Sequence, residues 1–154
     1  MRVAQFIAML LFSLVSGVFW GTWFSLSRSM SAITPATFLE VGHTMIVNLG
    51  RPMSVLMPAA LLSALVVAVL LVRRGQTRSS VFVVSAFVLL LAAMIITLMV
   101  NVPIDRQIQG WTTATLPADW SAIRDRWELY HGLRTLISLM ALSSLFASTL
   151  SSTR

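Results

Sequence analysis

Glutamate and histidine each occur only twice in this sequence, and each histidine follows a glutamate by three positions: Glu40-Val-Gly-His43 and Glu128-Leu-Tyr-His131. Residues i and i+3 project from one helix face, so each pair can offer a carboxylate oxygen and an imidazole nitrogen to one ion. Two Glu-x-x-His pairs, with a glutamate from each of two further helices, build the di-iron carboxylate sites of helical bundles. Here the two further glutamates are missing, and Asp105 or Asp119 would have to substitute from a loop. Glu40, His43, Glu128 and His131 are thus a candidate metal set, for iron, copper or manganese. The plainer alternative is that each pair is a local contact on a helix surface, worth about 0.2–0.5 kcal/mol. A bis-histidine haem would take one axial ligand from His131, but His43 belongs to a different, interfacial segment.

A second group follows in one stretch: Asn101-Val-Pro-Ile, Asp105, Trp111, Asp119-Trp120, Arg124-Asp-Arg-Trp127, His131 and Arg134. From Arg124 onward, Arg124, Trp127, His131 and Arg134 step by three or four and share one helix face. Arg and His are costly where they look into lipid, so this face is expected to line a pocket. The alternative for the individual tryptophans is an interfacial belt at headgroup level. Thiol chemistry, disulfides and thiolate metal sites are excluded, because the chain has no cysteine.

These residues need a frame, and composition says what kind. Of 154 residues, 57% are hydrophobic and 10% charged, against about 25% charged in a soluble domain. The apolar residues come in unbroken runs rather than amphipathic stripes. Four runs reach the roughly 20 residues that cross a bilayer: 3–26, 53–72, 81–100 and 129–150. The sequence predicts one all-α domain, an integral membrane four-helix bundle. The first run is longer than the apolar region of a signal peptide and ends near Trp20 and Trp23, so it reads as a retained helix.

Net charge is +6 and every basic residue is arginine. The arginines cluster at the ends of the apolar runs, where they anchor helices, and nucleic-acid binding is not expected. Arg2, the link 73–80 with Arg73, Arg74 and Arg78, and Arg154 carry no neighbouring acid. The positive-inside rule places them, and both termini, in the cytoplasm of what reads as a bacterial inner membrane. Connections 27–52 and 101–128 then face outward, with nearly all the unusual polar residues. Thr34-Pro35 starts a helix, and apolar residues at helical spacing over 36–49 predict a short extra interfacial helix between the first two spans. Gly50 ends it and Arg51-Pro52 starts the next. Pro103, Gly110 and Pro117 predict repeated breaks in the other connection, with Asp119 capping a helix that runs into the fourth span.

The stretch from Asn101 to Arg134, with Gly21 and Trp23 near the end of the first span, resembles the anthrone-oxygenase-like family of small four-helix membrane proteins. The resemblance covers most of the chain, its specific motif about residues 101–134. It implies oxidation of an anthrone to an anthraquinone by O₂ without an evident organic cofactor. On these residues His131 would be the base, Arg134, Arg124 and Asn101 would support the developing oxyanion, and Trp111, Trp120 and Trp127 would stack on a flat substrate. An apolar substrate would enter from the bilayer.

Two functions follow. One is a membrane-bound oxidoreductase acting with O₂ on an apolar substrate at the outer interface, metal-dependent if the paired motifs meet. The other is a small non-enzymatic subunit packed in a homo-oligomer or a larger membrane complex through small residues such as those of Gly17-x-x-x-Gly21. Transport has the least support, since no acid lies centrally in a span.

Overall fold

The computed structural model describes residues 1–151, the side chains of Arg28 and Ser31 excepted; Arg154, one of the arginines read as a cytoplasmic anchor, lies outside the described residues. Every regular element among them is helical: α1 (Arg2–Gly21), α2 (Pro35–Arg73), α3 (Thr77–Ile96), α4 (Val102–Gln109) and α5 (Trp120–Ser151). A π-helical turn, Thr22–Leu26, extends α1, and another, Thr97–Asn101, joins α3 to α4. Four segments are long and apolar enough to cross a membrane: Arg2–Leu26, Pro35–Arg73, Thr77–Gln109 and Trp120–Ser151. The chain is an integral membrane protein, since such helices satisfy their own backbone in lipid. Large apolar side chains such as Val3, Met99 and Leu150 stay exposed on the outside of the bundle.

The long helices form a ring of four, α1 against α2 and α5, and α3 against α2 and α5. The core between them is rich in alanine, with Ala8, Ala60, Ala64, Ala86 and Ala141 all fully buried. Small side chains let backbones approach closely where no hydrophobic effect drives helices together. Hydroxyls tie the helices across that gap: Ser16 Oγ donates to the Ser138 carbonyl at 3.1 Å, and Ser144 Oγ to that of Phe82 at 2.9 Å.

Two expected breaks are absent. The segment 36–49 is not a separate interfacial helix; it is the first part of α2, which runs unbroken through Gly50-Arg51-Pro52. Proline removes one backbone donor and crowds the preceding turn, and within a long transmembrane helix this is tolerated when the freed groups find other partners. The carbonyl that Pro52 leaves without its helical donor is that of Asn48, an exposed residue. At 39 residues α2 is about 58 Å long, so its first third extends past a hydrocarbon core of about 30 Å. Pro103 likewise does not break the chain, because it sits in the first turn of α4, directly after the π-turn.

At the far end, α2 stops in a tight turn. Gln76 N–H reaches the Leu71 carbonyl and Gly75 N–H that of Val72, both at 3.0 Å. This is the Schellman pattern, and Gly75 supplies its left-handed residue at φ 68°. The turn puts Arg73, Arg74 and Arg78 at one end of the bundle, opposite the end that holds nearly all other polar side chains.

Candidate functional site

The helix α5 carries the site's central pair. His131 is 1% exposed, stacked on Trp127 (ring centroids 4.8 Å apart) and met edge-on by Phe19 of α1. Arg134, also buried, donates from Nε to His131 Nδ1 at 3.0 Å and from Nη1 to Thr97 Oγ1 at 3.0 Å. Thr97 gives its own hydroxyl proton to the Ala93 carbonyl at 2.8 Å, so its oxygen is free to accept. The guanidinium lies 4.6 Å from the centre of the Phe19 ring, a cation–π contact that offsets part of its desolvation.

This contact assigns the imidazole tautomer. An arginine N–H only donates, so His131 Nδ1 is an unprotonated acceptor and the neutral ring carries its proton on Nε2. That Nε2 is buried and has no hydrogen-bond partner among the described residues. A buried donor left unpaired costs about 1–3 kcal/mol, so each such group calls for an explanation. Asn101 Oδ1 and Glu128 Oε1 are also buried without a hydrogen-bond partner among the described residues.

The end of the third span closes the other side. Asn101, fully buried, donates from Nδ2 to the Trp127 carbonyl at 3.2 Å. Trp127 Nε1 donates to Asp105 Oδ1 at 2.8 Å. Trp127 and Asp105 border a cavity of about 500 Å³, within the roughly 300–1,000 Å³ of small-molecule sites. Asp105, Thr97, Trp127, His131 and Arg134 form a polar wall on the second π-turn, α4 and α5, and α2 faces them with an apolar one. Both π-turns lend residues to the lining, Thr22 and Leu26 from one, Thr97 and Leu98 from the other. Such turns recur at functional sites because the extra residue re-aims side chains.

The expected site residues divide. His131, Arg134, Trp127 and Arg124 line the cavity. Arg124, however, spends Nε and Nη2 on Asp125 Oδ1 at 2.9 and 2.7 Å, and its cation lies over Trp120. Asn101 is buried behind the wall. Trp111 and Trp120 do not line the cavity themselves; they pack in an apolar cluster with Phe38, Ile104 and Ile108, of which Phe38 and Ile108 do line it.

The metal set does not assemble. Among the described residues no three of His, Asp and Glu come together to hold an ion. His43 Nε2 donates to the Ile108 carbonyl at 2.8 Å, tying α2 to the last turn of α4. Glu40 is exposed. The two histidines serve different contacts on different helices, so the shared three-residue spacing is local to each. Phe19 and Thr97, which the spacing did not single out, and Asp105, named above as a possible substitute metal ligand, all belong to the site. The signal for two of them was present, since Thr97, Asn101 and Asp105 recur every four residues at the end of an apolar span.

Comparison with known proteins returns one finding. A family model described as anthrone oxygenase matches residues 50–144, from the middle of α2 through most of α5. No curated protein and no solved structure matches the chain.

Proposed function

The chain belongs to the anthrone oxygenase family, and from that premise we propose that it oxidises an apolar aromatic ketone with O₂ inside the α1–α5 cavity. The substrate class is a flat aryl ketone with an acidified methylene, as in an anthrone. Removing one methylene proton leaves an enolate whose charge rests on the former carbonyl oxygen. Reaction with O₂ forms a C–O bond at the methylene carbon. Loss of the second proton with cleavage of the O–O bond then gives a ketone. One oxygen atom ends in the new carbonyl and the other in water, with both methylene hydrogens.

The observation that carries the reading is the His131 Nε2–H, a buried donor without a partner in the wall of an apolar cavity. An enolate oxygen is the acceptor it lacks, and the positive charge of Arg134 directly behind the ring reinforces that bond. Arginine carries five N–H donors, and Arg134 has donors beyond those given to His131 and Thr97. Fixed in this tautomer, His131 is a donor in the resting state, which moves the role of base to Asp105. Trp127 holds Oδ1 of that carboxylate, and Oδ2 is the oxygen left to take the proton. The ring of Trp127 offers a flat surface to a flat substrate.

The arginine-rich turn at 73–78 supports placing that end in the cytoplasm and the cavity at the opposite face of the membrane. The test is O₂ uptake by detergent-purified protein supplied with an anthrone. Wild-type protein should consume O₂ and form the anthraquinone, and His131→Ala and Asp105→Asn should not, though both remain folded. A His131→Ala variant that turns over at the wild-type rate would sink the assignment.

A further inference from the structure

The cavity is much longer than an anthrone. Its α2 wall is one stripe at helical spacing, from Phe38 through Gly42, Leu49 and Met53 to Pro58, and 20 residues of helix span about 30 Å. A volume of about 500 Å³ stretched over that length is a slot, deep enough for a flat ring system and for a chain beyond it. The polar groups do not follow the slot to its end. Beside Thr97 and Arg134 the lining is Met53, Met57 and Pro58 of α2 with Met94 of α3 and Leu98 of the π-turn that follows it, apart from the Ser54 hydroxyl, which is given to the Arg51 carbonyl.

That apolar branch opens sideways. Gly50, Ser54 and Pro58, four residues apart on one edge of α2, are exposed, and so is Leu98 opposite. A Cβ built on Gly50 meets nothing within 4 Å, so the rim there is low. Gly50 to Pro58 lies about 22 to 35 Å along α2 from its Arg73 end, the far part of a hydrocarbon core of about 30 Å and its border. The opening therefore faces acyl chains, not water. Met30, Met45, Met53, Met57 and Met94 line the slot, five of the chain's nine methionines. Unbranched, flexible thioethers form an adaptable wall, suited to a chain of many conformers more than to one rigid plate.

We propose that the ligand is an aromatic ketone bearing a long alkyl or isoprenoid tail, its head at His131 and Arg134 and its tail leaving between α2 and α3 past Gly50, Ser54 and Pro58. The inference rests on the catalytic reading for the head and adds the tail. It is tested by binding, apart from turnover. Dissociation constants of anthraquinone and of 2-dodecylanthraquinone are measured on detergent-purified protein by quenching of tryptophan fluorescence. The dodecyl compound binds at least about tenfold more tightly, as burial of its methylenes requires. Gly50→Trp and Ser54→Trp, which wall off the opening, remove that advantage and leave the anthraquinone constant unchanged. The same ratio of constants in wild type and both variants would mean ordinary micelle partitioning and would overturn the tail. Tail-dependent binding that the rim variants abolish, with no oxidation of any anthrone, would uphold the ligand class and defeat only the catalytic reading.

Discussion

Arg134 gives its Nε–H to Nδ1 of His131 across 3.0 Å, one turn away on the same helix and on the buried face of the bundle. That bond decides which imidazole nitrogen bears the proton, and so whether the ring meets a ligand as donor or acceptor. It is also local to α5, so it should survive small rearrangements of the other helices.

The tautomer is directly observable. The ¹⁵N spectrum of histidine-labelled protein in lipid at neutral pH should show a neutral His131 protonated on Nε2. His43 should also carry a proton on Nε2, since that nitrogen donates to the Ile108 carbonyl. A His131 protonated on Nδ1 would restore it as the base.

Arg134→Lys should not be a mild change, because a point-like ammonium cannot hold Nδ1 of His131 and Oγ1 of Thr97 with two fixed N–H groups. Loss of a preorganised donor of this kind lowers kcat on the order of 10²–10³-fold. Thr97→Val should lower kcat less and leave KM nearly unchanged, and Thr97→Ser should recover it. Equal KM and kcat losses in Thr97→Val would indicate damage to the cavity rather than misplacement of Arg134.

Gly132 faces Trp23, and a Cβ there would lie 2.9 Å from the indole Nε1. Gly132→Ala should therefore lower thermal stability in detergent by about 1–3 kcal/mol, the usual cost of overpacking. Gly17→Ala, where a Cβ meets nothing within 4 Å, is the control and should be neutral or better. A Gly132→Ala protein as stable as wild type would mean the indole moves aside freely.

His43 is read as a strut. His43→Ala removes the side-chain donor of the Ile108 carbonyl, which keeps the Trp111 N–H at 3.1 Å, and should cost about 0.5–1.5 kcal/mol, with loosening of α4. Elemental analysis should show the same metal content with and without this substitution, and with and without His131→Ala. Stoichiometric metal lost in either variant would revive the ligand set that the helices keep apart.

Much of this molecule was open to reading in one dimension. Lipid imposes a length and an apolarity on each span, so four runs became four helices, the second and fourth extended at their starts to Pro35 and Trp120. The face shared by Arg124, Trp127, His131 and Arg134 follows from 3.6 residues per turn, and the prediction that it turns inward follows from the cost of charge in hydrocarbon. Local signals misled where the rest of the protein could overrule them. Gly50-Arg51-Pro52 has the form of a helix end, yet α2 continues through it because a helix committed to crossing lipid has no better way to satisfy its backbone.

The paired Glu-x-x-His motifs mark the boundary most clearly. Spacing within a helix establishes which residues share a face, and that much was sound. It says nothing about which helices meet, because contacts between residues far apart in the chain are chosen by packing of the whole bundle. Tertiary structure gave His43 to the Ile108 carbonyl, His131 to Arg134, and Trp111 and Trp120 to an apolar cluster that shares Phe38 and Ile108 with the cavity wall. It also brought Asp105 to Trp127 and Thr97 to Arg134. The class of protein and the helix bearing the central pair came from residue types and period alone; the partners that set each side chain's proton and its neighbour came from the assembled bundle, where geometry between helices first exists.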